Sequence, residues 1–165
     1  MTKKQLFLSH FINEATPQYG GADNISIKDD SRIIDGKSSN TKHLSFSNHI
    51  GTHIDFPHHF SDTGKTINNY PPSFWTFNKP FVVEYSAQDD EILSLENLLG
   101  HIPEDTDFLI IKTGFQKYRT ENKYWNNNPG IHPNMAAMLK EQCPNIKAIG
   151  FDFISITSYQ NRKLG

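Results

Sequence analysis

Histidine and aspartate side chains are concentrated in one short stretch of this sequence, residues 49–60. Four of the eight histidines in the chain lie within it. His49, His53, Asp55 and His59 all occupy odd-numbered positions, so an extended backbone would place the four side chains on one face. Imidazole nitrogens and carboxylate oxygens are common ligands of divalent transition metals in proteins, so this pattern predicts a metal site.

The backbone cannot stay extended between His49 and His53 if both bind one ion. Four extended residues span about 13 Å, whereas a Zn–N bond is only about 2.0–2.1 Å long. We therefore expect the chain to bend at Gly51, the residue best able to turn there. His53 and Asp55 would be about 6.6 Å apart even in an extended chain, which suits two ligands of one ion. A helix would also align His49 with His53, but Gly51, its β-branched neighbours and Pro57 argue against it.

His49, His53 and Asp55 make a three-ligand set that leaves room for a water molecule. Zn²⁺ is the first choice for these ligands, and Mn²⁺ or Fe²⁺ also fits them. A divalent metal lowers the pKa of bound water toward neutrality and polarises a carbonyl group. His59 is the predicted acid/base, because a histidine near that water can take a proton and return it to a leaving group. His58 would point the other way, toward solvent or the residues that support the ligands.

Hydrophobic periodicity and turn residues predict the elements that must position this cluster. We expect strands at 5–12, 42–49 (half-buried), 81–85, 107–112 and 146–156, a loop at 14–30, and helices at 94–99 and 133–142. Ser94 is the expected N-cap of the first helix, and Pro144 is expected to end the second. Strands that alternate with one or two helices indicate an α/β or α+β fold, in a single domain spanning residues 1–165.

Composition and charge exclude several classes of partner. A net charge of −2 without a basic stripe argues against nucleic acid as a ligand. No apolar run approaches the length of a membrane span, and the one near the N-terminus is too short for a signal peptide. The single cysteine, Cys143, cannot form an internal disulfide, which fits a reducing compartment. We therefore expect a soluble cytoplasmic protein that acts on a small molecule.

The motif His-x-Gly-Thr-His-x-Asp-x-Pro-x-His at residues 49–59 resembles the signature of the putative cyclase family, which includes bacterial kynurenine formamidase and isatin hydrolase. All seven fixed positions of the signature are present. The resemblance implies a swivelling β/β/α fold with a mixed sheet, assembled as a dimer or larger oligomer. It also implies that His49, His53 and Asp55 bind metal, that Asp55 can bridge to a second ion, and that His59 is the catalytic acid/base.

Further landmarks of that family recur along the chain, so the resemblance covers nearly all of it. They are Leu8-Ser9-His10 with residues 16–21, Thr113-Gly114, Pro129-Gly130-Ile131-His132, and Gly150-Phe151-Asp152 with Ser155. Asp152 and Ser155 could reach the site from the end of a strand, although a structural role is the stronger interpretation.

The C-terminal region departs from the family pattern. Relatives with two metals take a further His and Glu from this region, but here no His follows His132 and no Glu follows Glu141. Three interpretations are open: a relative that lacks its C-terminal portion, a site for one ion, or a site that a partner chain completes. For this chain alone we expect one bound ion.

The leading hypothesis is a metal-dependent hydrolase of a small amide, either a formamide or a cyclic amide. The alternatives are a metal-dependent cyclase or dehydratase, and a non-catalytic relative that serves as a binding subunit. Only the enzymes would show turnover that a chelator abolishes. An aromatic patch at residues 70–77 predicts either an apolar wall for the substrate or a packing surface, and it also suggests a homo-oligomer.

Overall fold

The structure is a computed structural model that describes residues 9–19, 25–98 and 102–163. The chain separates into two compact units, Met1–Gly64 and Lys65–Gly165. Three small sheets and a few short helices make this a mixed α+β fold, which confirms the predicted class. The expectation of one domain over residues 1–165 stays a prediction.

The first unit contains an antiparallel hairpin of two strands, β1 (Ser26–Ser31) and β2 (Thr41–Ser45). The chain reverses between them through a 3₁₀ turn at Ile33–Asp35, which ends at Gly36. Gly36 has a φ of 80°, a left-handed conformation that glycine adopts at little cost. The hairpin leads directly into the histidine-rich segment.

The predicted elements before β2 need correction. Residues 9–12 form no strand, and the remainder of the strand predicted at 5–12 lies outside the described residues. The loop predicted at 14–30 ends early, because β1 already begins at Ser26. Most residues of β1 are polar and of types that favour turns, so the sequence predicts a loop there. The strand forms because it pairs with β2.

The strand predicted at 42–49 is real but shorter, since β2 ends at Ser45. Its apolar face is not half-buried as expected: Leu44 is 56% exposed, and Phe46, just beyond the strand, is 42% exposed. Alternating apolar residues show which face of a strand can be buried. A two-stranded sheet does not by itself supply the second layer that would bury it.

The second unit is built on a three-stranded parallel sheet. Its strands are β3 (Pro80–Glu84), β5 (Phe108–Lys112) and β7 (Ala148–Phe151), with β5 in the centre; β4 (Ile92–Leu93) and β6 (Gly130–Ile131) form a separate parallel pair. The strands predicted at 81–85 and 107–112 are confirmed to within one residue at each end. The strand predicted at 146–156 is wrong beyond Phe151, because the chain bends there although its apolar residues continue inward.

Short helices connect these strands: α1 (Leu95–Leu98), α2 (Lys123–Asn126) and α3 (Met135–Gln142). The helices predicted at 94–99 and 133–142 are confirmed within the described residues. Ser94 caps α1 as expected, because its hydroxyl accepts the Asn97 N–H at 3.4 Å while the Asn97 side-chain oxygen accepts the Ser94 N–H at 3.2 Å. Among the described residues, none of the helices is long and apolar enough to cross a bilayer.

The core of the second unit forms around the central strand. Leu109 and Ile111 of β5 are completely buried, and Met135 and Leu139 of α3 are almost so. Each such side chain contributes about 1.5–3 kcal/mol relative to an exposed one. Cys143 is also fully buried, and burial raises the pKa of its thiol, so it is a packing residue rather than a nucleophile.

Candidate metal centre

The chain turns sharply at Gly51, as the spacing of the ligands predicts. Gly51 has a φ of 67°, in the left-handed region that favours glycine. Residues 46–56 form neither helix nor strand. The picture of four side chains along one extended face is therefore wrong, whereas the bend inferred from distance is confirmed. The whole cluster lies within the first unit.

Three donor atoms converge beside this bend. His49 Nδ1 lies 3.3 Å from His53 Nε2 and 2.9 Å from Asp55 Oδ1, and His53 Nε2 lies 3.6 Å from the same oxygen. The point equidistant from these atoms is about 1.9 Å from each, close to the length of about 2.0–2.1 Å expected for a bond from Zn²⁺ to nitrogen or oxygen. The spacing of these three donor atoms therefore suits a divalent metal ion, and their assignment as its ligands stays a prediction.

The hydrogen bond of His53 shows which of its ring nitrogens is available. His53 Nδ1 lies 2.9 Å from the carbonyl oxygen of Gly51, and a carbonyl can only accept, so Nδ1 carries the proton. Nε2 of a neutral His53 is then unprotonated and faces His49 and Asp55. Ligating histidines commonly use their second nitrogen in this way, which fixes the tautomer and the ring orientation.

Burial lowers the pKa of His49, and the neighbouring rings of His59 and His53 lower it further. Asp55 opposes this effect, but the net direction is downward. A lowered pKa favours the neutral imidazole, which is the form that can bind a metal. In the metal-free protein a neutral His49 can donate its Nδ1 proton to Asp55, and that proton must leave before Nδ1 can act as a ligand.

His59 joins the cluster from a 3₁₀ turn at Pro57–His59. Its ring centroid lies 4.2 Å from that of His49, and His49, Asp55 and His59 each offer a ligand atom within 4.8 Å of the other two. His59 is therefore near enough to act either as a further ligand or as an acid/base. Its assignment to proton transfer, with metal on the other three residues, stays a prediction.

The side chains of the cluster are partly exposed. The side chains of His49, His53 and Asp55 are 32%, 26% and 34% exposed. The cluster is therefore not sealed in a core, as a site that admits a small molecule requires. His58 is exposed, which agrees with the solvent-facing interpretation of that residue.

Comparison with known proteins shows to which family the chain belongs. The sequence profile described as "Putative cyclase" matches residues 6–158, which is most of the chain. The chain belongs to the putative cyclase family. This cyclase-family chain is also similar to an uncharacterized protein of Haemophilus influenzae (strain ATCC 51907 / DSM 11121 / KW20 / Rd), with 34% identity over 110 residues, or 64% of this chain and 78% of that protein. Membership indicates an enzyme and agrees with a metal site at residues 49–59.

Two of the later family landmarks, Thr113-Gly114 and Asp152, are hydrogen-bonded to each other in the second unit. The Asp152 carboxylate accepts the Thr113 N–H at 2.7 Å, the Thr113 hydroxyl at 2.6 Å and the Gly114 N–H at 2.7 Å. Gly114, two residues after β5, has a φ of 75° and begins the 3₁₀ turn that follows. Asp152 therefore joins the ends of β5 and β7, which favours the structural interpretation of this residue.

The aromatic patch at residues 70–77 packs within its own unit. The rings of Tyr70, Phe74 and Trp75 lie 4.7–6.0 Å apart between centroids, and all three residues are half-buried. Phe77 stacks on Phe108 of β5 at 4.6 Å. Packing against β5 thus explains the burial of Phe77. For Tyr70, Phe74 and Trp75, an apolar wall for the substrate and a packing surface both remain open.

Several structural residues of the cyclase-family chain were not singled out from the sequence. Asp107 accepts the N–H groups of Asn78 and Lys79 at 2.8 and 3.0 Å; burial works to raise its pKa, but these hydrogen bonds and Lys147 outweigh burial and lower it. Gly64, five residues after His59, packs closely against the backbone of Pro57 and His58. An acidic residue before a strand or a glycine in a loop is too common a signal to identify either.

Proposed function

We propose that this protein is a metal-dependent hydrolase of a small amide, such as a formamide or a cyclic amide. His49, His53 and Asp55 would hold one divalent ion, with Zn²⁺ the first candidate and Mn²⁺ the second. His59 would act as the acid/base. The proposal is supported by family membership and by the position of His59 beside the predicted ligands.

The observation that carries the proposal is the triangle of His49 Nδ1, His53 Nε2 and Asp55 Oδ1, with sides of 2.9–3.6 Å. In the metal-free protein the Nδ1 proton of His49 can hold these electron-rich atoms together, and a divalent cation that displaces this proton would have all three as ligands. Two nitrogens and one oxygen suit a catalytic rather than a purely structural ion, because catalytic sites keep a position for water or substrate.

The chain's own residues would divide the work of amide hydrolysis. The bound metal would supply a nucleophilic water at neutral pH and polarise the substrate carbonyl. Gly51 holds His53 in the tautomer that presents Nε2. His59 takes a proton from the attacking water at one ring nitrogen and delivers it to the amide nitrogen that leaves.

Replacement of His53 tests the ligand set. We expect the wild-type chain, purified without chelator, to contain close to one transition-metal ion by elemental analysis. His53→Ala should lower the affinity for that metal by more than about 100-fold, since even residues that only support ligands contribute about 10–100-fold. His58→Ala, which removes an exposed neighbouring imidazole, is the matched control and should keep its metal. Equal metal content in His53→Ala and the wild type would refute the assignment.

Replacement of His59 tests the division between binding and proton transfer. On an amide that the wild type hydrolyses, His59→Ala should lose about 10²–10⁴-fold in kcat, the usual contribution of a general acid/base. It should retain most of its metal, as measured by elemental analysis. Loss of metal together with residual activity would make His59 a ligand instead.

A cyclase or dehydratase is the second candidate, and the family description favours it. Such an enzyme would use the metal as a Lewis acid and His59 as a base. Solvent labelling distinguishes the two reactions, because amide hydrolysis in H₂¹⁸O incorporates one ¹⁸O into the carboxylate product, whereas cyclisation does not. If no turnover depends on metal, the non-catalytic binding subunit becomes the better interpretation.

A further inference from the structure

A tight loop follows the turn that carries His59. The carbonyl oxygen of Pro57 accepts the N–H groups of Phe60 and Ser61, each at 3.1 Å. The N–H of Gly64 then donates to the carbonyl of Ser61 at 2.8 Å. These bonds fold the chain back so that the α-carbon of Gly64 rests on the peptide group between Pro57 and His58.

The contact leaves no space for a side chain at Gly64. A Cβ atom there would lie 2.3 Å from the carbonyl carbon of Pro57, 2.4 Å from its oxygen and 2.5 Å from the nitrogen of His58. All three are backbone atoms, so no flexible side chain can move aside. The φ of Gly64 lies outside the left-handed region, so the position requires glycine for space and not for backbone conformation.

The peptide under Gly64 leads directly into His59. The His59 N–H donates to the carbonyl of Phe56 at 2.8 Å, and the His59 ring lies 4.2 Å from the ring of His49. A real Cβ essentially never comes within 3.0 Å of such atoms, so any side chain at Gly64 must displace this peptide by about 0.7 Å or more. A shift of that size at a catalytic group is enough to cost up to about 100-fold in rate.

We propose that Gly64 is a positioning residue for His59. Because Gly64 has no side chain, the Pro57–His58 peptide can pack directly against its α-carbon. This packing positions the His59 ring against that of His49. The proposal rests on the proposed function only where it treats His59 as the acid/base. The placement of the ring can be measured without turnover.

The first test is the histidine ring spectrum of the metal-free, full-length chain. Long-range ¹H–¹⁵N correlations would be assigned with His49→Ala, His58→Ala and His59→Ala. In Gly64→Ala the ring signals of His59 and His49 should shift, while those of His43 and His132 stay in place. Thr63→Ala, which removes an exposed hydroxyl from the same loop, is the matched control and should leave every signal unchanged. Unshifted His59 signals in Gly64→Ala would overturn the proposal.

The second test separates this proposal from the proposed function. Gly64→Ala should bind Co²⁺ within about threefold of the wild type, with kcat about 10- to 100-fold lower and KM within about threefold. In a His59→Ala background, Gly64→Ala should cost no further rate, because its effect passes through the missing ring. Equal additional loss in that background would overturn the positioning role. Absence of any metal-dependent turnover in the wild type would refute the proposed function and leave the spectral result standing.

Gly64→Ala could also fail to fold, and circular dichroism would show this. The double variant Ser61→Gly, Thr63→Gly then serves in its place, since it loosens the loop without adding an atom. Its fold should be retained. Its His59 ring signals should broaden, because the Pro57–His58 peptide is no longer fixed against Gly64. Sharp, unshifted His59 signals in that variant would overturn the proposal.

Discussion

At the scale of single residues, the histidine cluster depends on atoms that are not ligands. Gly51 contributes twice: its left-handed backbone turns the chain between His49 and His53, and its carbonyl oxygen accepts the proton of His53 Nδ1. Without the turn, the two imidazoles would be too far apart to share an ion. Without the carbonyl, His53 would be free to take the tautomer that presents a proton instead of a lone pair.

Replacement of Gly51 by alanine should therefore weaken metal binding. A non-glycine residue in the left-handed region costs about 1–2 kcal/mol, and relief of that strain would open the bend. Because about 1.4 kcal/mol corresponds to tenfold in affinity, we expect a loss of about tenfold, measured by titration with Zn²⁺ against a competing chelator. Gly36→Ala is the matched control, since Gly36 has a similar φ of 80° and lies in the hairpin turn. Equal affinities for the two variants would contradict this role of Gly51.

At the scale of elements, the segment after β7 is tied to the chain just before β6. Asn128 is fully buried, and its Nδ2 donates to the carbonyls of Pro129 at 2.9 Å and Thr157 at 3.0 Å. Next to it, a Cβ on Gly130 would lie 2.5 Å from the backbone nitrogen of Ser158. These contacts, together with a single backbone hydrogen bond from the Ile131 N–H to the Ile156 carbonyl at 2.8 Å, thus hold the part of the chain that was predicted to continue as a strand.

Removal of the Asn128 side chain should destabilise the second unit. Asn128→Ala leaves the carbonyl of the buried Pro129 without this donor, and an unpaired buried polar group costs about 1–3 kcal/mol. Urea denaturation should show this loss as a lower midpoint with an unchanged slope. Asn126→Ala, two residues earlier and exposed, is the control and should stay within about 0.5 kcal/mol of the wild type. Indistinguishable midpoints for the two variants would mean that Asn128 does not hold the segment.

At the scale of the whole molecule, several large apolar side chains of the first unit are exposed. Ile33, Ile34, Leu44 and Phe46 on and around the hairpin are exposed, with Ile34 at 80%. A two-stranded hairpin is marginally stable by itself, and soluble monomers seldom expose large contiguous apolar patches. The aromatic residues at 70–77, which are the other candidate surface for an oligomer, are half-buried, so the hairpin is the better candidate.

We expect the protein to form a homo-oligomer through this hairpin. Light scattering coupled to size exclusion should give a mass of at least twice the 18.9 kDa of one chain. The double variant Ile34→Lys, Leu44→Lys should shift the mass toward that of one chain, because charge opposes burial of the surface. Ile67→Lys, at an exposed isoleucine of the second unit, should leave the wild-type mass unchanged. A wild-type mass of 18.9 kDa at the highest concentration tested would contradict the prediction.

The sequence by itself determined the location of the histidine and aspartate cluster and the bend within it. Both follow from short-range geometry, because side chains two to six residues apart can bring their donor atoms together along only a few backbone paths. It also determined β5 and α3, whose apolar residues recur over enough positions to define a buried strand and an amphipathic helix. The seven fixed positions at 49–59 were sufficient to indicate the family that the profile match confirms.

Only the tertiary structure decided what depends on contacts through space. The order β3–β5–β7, the use of Asp152 to join two strand ends, and the exposure of Leu44 all depend on which segments become neighbours. The packing of Gly64 near His59 also depends on contacts through space. The residue types around Gly64 do not show that its α-carbon meets the peptide that begins seven positions earlier, at Pro57. Local propensity describes how each segment can fold, whereas the position of a side-chain ring to within an ångström is set by the backbone against which it packs.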